Sequence, residues 1–354
     1  MTMLSRTFPA AVGYGLLLAL LAVGSVLLGS SGIGAGEVLE GSAAMLGLSE
    51  PLERSTQAIV ELRVWRALCT LGVGAALALS GGLIQGMFRN ALASPSLIGV
   101  TGGASLGAAF AILIIGGYAP RLVLESSAGL DALLVPLFSF AMALGTTALV
   151  AWIASARGRA SVTTLLLVGI AVNMCVAGAF AAIQYLTLEE WEVSRAILAW
   201  TFGTLDDRSG FHCLTVFAGL AVSALAVPFV ARELDLLKGG EEDAEALGVD
   251  VAGTKRIALI AAALAASAAV AVAGQIAFVG LVVPHLLRLC GLHSYRQLLW
   301  HALPAGAAFL LGADVLQRWL FGAGALQPGV MMSVVGGPFF LFLLVRSRRE
   351  VSTW

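Results

Sequence analysis

Lysine is almost missing from this chain: Lys238 and Lys255 are the only two in 354 residues. Charge of either sign is scarce, at 12% of residues, where soluble domains usually carry about 25%. A water-facing globule of this size needs more polar surface than that, so lipid must cover much of the chain. The net charge of -1 gives no basic footprint, which excludes nucleic acid as a partner. The four cysteines, Cys69, Cys175, Cys213 and Cys290, form no Cys-x-x-Cys pair and lie in apolar runs. They read as small buried hydrophobes, without a disulfide or metal role. No Gly-x-x-x-x-Gly-Lys-[Ser/Thr] loop is present, so ATP is not bound by that means. His-Glu-x-x-His and Gly-x-Ser-x-Gly are also absent, and no carboxylates cluster within an apolar run, so a hydrolase has no visible machinery.

What is present is apolar length. Hydrophobic residues make up 59% of the sequence and mean hydropathy is +0.95. A spanning helix needs about 20 mostly apolar residues. Candidate spans run over 9–29, 65–87, 97–116, 132–154, 162–186, 211–231, 256–273, 275–290, 298–321 and 331–346. The expected fold is therefore all-α and polytopic, with about ten transmembrane helices in a single transmembrane domain over 1–354. The first run is too long for a secretory signal and lacks a cleavage site, so it reads as a retained helix. The pair 256–273 and 275–290 is one apolar stretch broken at Gly274-Gln275, and its second half holds Pro284. Such an interruption reads either as a kink or as functional backbone in a transport protein.

Basic residues set the orientation. With the N-terminus inside, Arg and Lys favour the inner loops by about two to one, as the positive-inside rule expects. Both termini are then cytoplasmic. The 42 glycines concentrate within spans, where small residues let helices approach closely.

Four polar features interrupt the apolar background. The longest inner loop, Arg232 to Arg256, holds Glu241, Glu242 and Asp243 at the start of a short helical pattern. Acids there oppose the positive end of a helix dipole. Gly248 is a natural stop, and Ala244, Ala246 and Leu247 give an apolar side. The segment reads as a solvated acidic loop or as a docking helix for a cytoplasmic partner. At the outer mouth, Arg63-Val64-Trp65-Arg66 reads as a headgroup anchor or as a partner for external carboxylates. Between two spans, residues 89–100 form a tight inner turn that Pro95 enforces. Finally, Asp314 is the one acid well inside a span, with Arg318 at the i+4 position of an ion pair. His285, after Pro284, reads as structural. One buried acid is thin support for an ion-coupled secondary transporter, the rival class.

The motifs, taken in order, resemble the FecCD-type permease subunits of bacterial ABC importers for iron–siderophore, haem and cobalamin. They are Arg63 to Arg66, GAALALSGGLIQG (74–86), RNALASPSLIGV (89–100), AEALGV (244–249), GQIAFVGLVVPH (274–285), PGV (328–330) and GGPFF (336–340). The resemblance covers about residue 60 to the C-terminus. It implies a ten-helix subunit of the bacterial inner membrane, dimeric, with the permeation pathway between the two copies. A cytoplasmic ABC ATPase dimer would bind ATP and magnesium, so this chain would be no enzyme and carry no cofactor. That ATPase would seat a coupling segment over about 239–250, with Glu241, Glu242, Asp243, Ala244, Ala246, Leu247 and Gly248. A substrate-binding protein would present acids to Arg63, Arg66 and Arg318. Ser161, Thr163 and Thr164 fall where the family places its cytoplasmic gate. Trp65 stands where the family usually has proline.

Overall fold

The computed structural model describes residues 4–29, 32–116, 131–155, 162–322 and 326–351. Every regular element among them is helical. Ten apolar helices form the bundle. They are α1 (Leu4–Leu27), α3 (Arg54–Phe88), α4 (Val100–Ile115), α5 (Asp131–Ser155), α6 (Val162–Leu186), α8 (Gly210–Leu237), α10 (Val251–Ala273), α11 (Val279–Leu289), α12 (Tyr295–Phe321) and α13 (Pro328–Val351). Three further α-helices lie between them: α2 (Ala35–Met45), α7 (Trp191–Thr201) and α9 (Glu241–Ala246). Pro95–Ile98 forms a single 3₁₀ turn before α4.

The polytopic all-α expectation therefore holds, with instructive differences in detail. Among the described residues, six of the ten apolar helices are both long and apolar enough to cross a bilayer by themselves. Helix α3 is 35 residues, or about 52 Å, well beyond the ~30 Å hydrocarbon core. It is also the axis of the bundle, with 89% of its apolar window buried, against 72% for α10 and 17% for α6. Close approach explains how α3 sits so deep. Gly74 of α3 faces Gly306 of α12, and a β-carbon on either would strike the other's carbonyl. About two turns along, Gly81 meets the carbonyl of Gly280 in α11 in the same way. In lipid, such backbone contact supplies the packing that holds helices together.

The apolar run expected to resume at residue 275 does not. Residues 274–278 are non-helical and α11 starts only at Val279. Gly274 adopts φ 68° and ψ -159°, a conformation open to glycine, and Phe278 takes φ 67°. Helix α11 is thus only 11 residues, about 16 Å, or half a membrane. Helices α2 and α7 have no counterpart in the span assignment, because each is too short and too polar to register as an apolar run.

Two ends of the bundle can be told apart by contacts. At one, Arg66 reaches Asp206 and Asp314. At the other, Lys238 bonds the carbonyl of His293 and Asp235 accepts from the N-terminus of α12.

The cysteines separate into two kinds. Cys69 and Cys213 are buried, as expected, but Cys175 and Cys290 are exposed. Cys175 lies on the weakly buried helix α6 and Cys290 just beyond the end of α11, where no neighbour covers them.

Candidate functional site

At the Arg66 end, a charged cluster ties four elements together. Asp314 is fully buried and its carboxylate accepts from Arg66 Nη2 at 2.7 Å and Arg66 Nε at 3.2 Å. Its second oxygen pairs with Arg318 Nη2 at 2.8 Å, the i+4 ion pair anticipated from sequence. Asp206, from the loop between α7 and α8, closes on Arg66 from the exposed side. Arg318 also donates Nη1 to the carbonyls of Ser25 and Leu28, each at 2.9 Å, and Nη2 to Ser25 Oγ at 2.7 Å. Arg63 donates to the carbonyls of Val26 at 3.2 Å and Leu27 at 3.5 Å. Two guanidiniums from different helices therefore cap the C-terminus of α1. Its last carbonyls have no intrahelical partner and its dipole is negative there.

All three arginines expected to meet a partner's acids are thus largely engaged within the chain. Arg63 and Arg318 are each 8% exposed. Asp206 was not anticipated as part of this cluster. A carboxylate in a polar loop carries no sequence signal of its partner 140 residues away. Next to it, burial and then the Asp206 charge raise the Asp207 carboxyl above the ordinary carboxylate range, while Arg208 and Arg66 pull it back. Asp314 held by two cations is poorly disposed to take up and release a coupling ion, which weighs against the ion-coupled rival.

Among α3, α4, α10 and α11 lies a cavity of about 320 Å³. The broken segment after α10 lines it with Gln275 and Phe278, and the 3₁₀ turn contributes Ser94 and Ser96. Thr101 of α4, Leu77 of α3 and Val270 of α10 add to the wall. Non-helical backbone at membrane depth is tolerated where it is buried in protein or lines a cavity. Both conditions hold: Gln275 Nε2 donates to Ser105 Oγ, and glycines 203 and 329 press against the Gln275 carbonyl. Asn173 of α6 donates to the Ser96 carbonyl at 2.9 Å, tying that helix to the same turn. Among the described residues, nothing charged lines this space. Sequence reading flagged the Gly274-Gln275 interruption but not the cavity, whose walls come from four separated stretches.

At the Lys238 end, α9 forms where the acidic segment suggests, and Gly248 follows it with φ 85°. Ala244 is fully buried under α9, whereas Leu247 is 68% exposed. Glu241 pairs with Lys255 at 2.6 Å, pinning α9 to α10. Glu242, Asp243 and Ala246 point to solvent. Arg288 of α11 donates to the buried Gln85 at 2.7 Å, and Arg89 reaches the Lys238 carbonyl at 3.4 Å. Thr163 and Thr164 open α6 on an exposed face, and Ser161 lies outside the described residues.

An apolar bundle with a broken helix pair beside a cavity suits a membrane transport subunit. The model of the FecCD transport family matches residues 16–346. The chain belongs to that family. Among relatives, the hemin transport system permease protein HmuU of Yersinia pestis is 35% identical over 293 residues. That match spans 83% of this chain and 84% of the relative. The cobalamin import system permease protein BtuC of Halobacterium salinarum is 36% identical over 309 residues, 85% and 78% of the two chains. A solved metal-chelate type ABC transporter in an inward-facing conformation superposes with a TM-score of 0.75 at 27% identity. It covers 94% of this chain and 97% of its own.

Proposed function

We propose that this FecCD-family chain is the membrane permease of an ABC importer for a metal chelate, drawing its energy from a separate ATPase. The observation that carries this is the family match across the ten-helix bundle, combined with a cavity that has no charged lining. A neutral wall suits a bulky chelate that must be released as readily as it enters, because tight binding would stall transport. Haem and cobalamin are the chelates named for its relatives. An iron–siderophore is likewise a bulky metal chelate and is included in the proposed substrate class.

Two partners complete the reading. A cytoplasmic ATPase would seat α9, whose outward Leu247 offers an apolar contact in an otherwise acidic helix. An extracytoplasmic binding protein would dock at the Arg66 end. There Arg63, Arg66 and Arg318 would act mainly by shaping the mouth, since their donors are already occupied. Thr163 and Thr164 would belong to the cytoplasmic gate. The small residues on the exposed face of α6, among them Ala171, Ala177 and Gly178, suit the wall between two copies of the chain.

The distribution of exposed cations supports a sidedness. Among the described residues at the Arg66 end, Arg54 and Arg195 are exposed. At the Lys238 end, Arg89, Arg232, Lys238, Arg256 and Arg296 are exposed. The excess supports a reading in which the Lys238 end faces the cytoplasm of a bacterial inner membrane, with both termini on that side. The discriminating experiment is competition. The complex, reconstituted with its ATPase and binding protein, takes up radiolabelled haem, cobalamin or ferric siderophore with the other two as competitors. Saturable uptake of one chelate supports the reading, and uptake of none under ATP refutes it.

A further inference from the structure

Helices α3 and α8 run side by side at the Arg66 end in matched register. Gly210 abuts the Trp65 ring, Cys69 faces Cys213, and a β-carbon at Gly72 would press on Val216 at 2.7 Å. The middle level of this ladder places two free thiols 2.9 Å apart, within about 1 Å of a covalent S–S bond. The flanking contacts fix both helices above and below, so the approach of the sulfurs is set by backbone packing and not by one adaptable rotamer. Cys69 is fully buried and Cys213 is 6% exposed. The remaining thiols, Cys175 and Cys290, are exposed and unpartnered by another sulfur.

We propose that Cys69 and Cys213 form an intramolecular disulfide in the mature protein, a staple between α3 and α8 at the mouth of the bundle. The proposal rests on the outward placement of the Arg66 end, because disulfides persist in oxidising compartments and not in the cytoplasm. The oxidant is the disulfide of an extracytoplasmic thiol oxidase. Cys213, the more accessible thiolate, attacks that disulfide and forms a mixed disulfide. Cys69 then displaces the oxidase. The Sγ–Sγ bond forms, both thiol protons are lost, and two electrons leave the oxidase as a dithiol. Exchange takes place before α3 and α8 close over the pair. The staple would hold Arg66, three residues before Cys69, in place against Asp206, which precedes α8.

The test uses the full chain isolated from membranes with thiol exchange quenched by acid at lysis. Thiols are then counted with a maleimide in SDS, before and after reduction, and the tryptic peptides are analysed. Two reactive thiols before reduction and four after are expected, with peptides 67–89 and 209–232 recovered as one species lighter by two hydrogens. Cys69→Ser gives three thiols in both conditions. Four thiols in wild type before reduction, with both peptides alkylated, overturn the proposal. The sidedness it rests on is read separately, by labelling Glu50→Cys in intact cells with a membrane-impermeant maleimide. Labelled Glu50→Cys with an absent disulfide refutes the staple alone. Unlabelled Glu50→Cys refutes the orientation.

Discussion

Replacing Asp314 with Asn removes the charge that two buried guanidiniums share. Asp314 is fully shielded from solvent, and the side chains of its partners Arg318 and Arg66 are 5% and 11% exposed. Removing one member of a buried ion pair typically costs about 3–5 kcal/mol, because the surviving charge stays desolvated. Asp206 still holds Arg66 from the exposed side, so the loss should sit near the lower bound, about 3 kcal/mol. Arg318→Met removes the opposite partner and also strips the cap from Ser25 and Leu28. The double variant restores local neutrality, so the two losses should fall short of additivity by about 1–3 kcal/mol. Reversible unfolding in mixed detergent micelles, read by circular dichroism, measures all four corners of the cycle. An Asp314→Asn variant within about 0.5 kcal/mol of wild type, the range of ordinary surface changes, would show that Asp314 does not organise this mouth.

Other outcomes follow from single contacts. Gly81→Ala should destabilise by at least about 1–3 kcal/mol, through its collision with the Gly280 carbonyl. Gly145→Ala, with open space around it, should be neutral; size-exclusion profiles of the two in detergent decide this. Leu247→Asp should fold normally because Leu247 is exposed, yet weaken ATPase binding on the order of tenfold, as loss of an interface anchor does. Unchanged affinity in a co-purification titration would remove α9 from that interface. Asp207 has a raised folded-state pKa, so the folded protein binds its proton more tightly than the unfolded chain does. Its charged form therefore destabilises as pH rises through and above the usual carboxylate range, and below that range the penalty is absent. Asp207→Asn should raise the melting temperature at pH 7 and leave it unchanged near pH 3; the reverse pattern contradicts the burial argument.

The sequence made the bundle legible because hydrocarbon imposes one solution on a long apolar run: a helix with all its backbone bonds internal. Length and hydropathy therefore placed the spans, and the Asp314–Arg318 spacing announced its own ion pair. The end of α9 was equally local, since Gly248 takes the positive φ that stops it. What stayed hidden depends on contacts between distant stretches. Arg63 and Arg318 looked like outward charges until α1 brought its carbonyls beneath them. Cys69 and Cys213 looked like isolated small hydrophobes, because 144 residues separate them and only the α3–α8 register joins them. The helix restart at Val279 was misjudged by four residues. The segment 275–278 is as apolar as a helix, and the conformations of Gly274 and Phe278 set the break.

The central claim is that this permease moves its cargo only when a separate ATPase drives it. Proteoliposomes holding the permease alone, or the permease with its ATPase and binding protein, are loaded with ATP and magnesium on the cytoplasmic face. Chelate accumulation is then followed with and without a proton or sodium gradient. The account predicts uptake in the complete complex with ATP, independent of either gradient, and none with the permease alone. Accumulation by the permease alone, driven by an ion gradient, would contradict it.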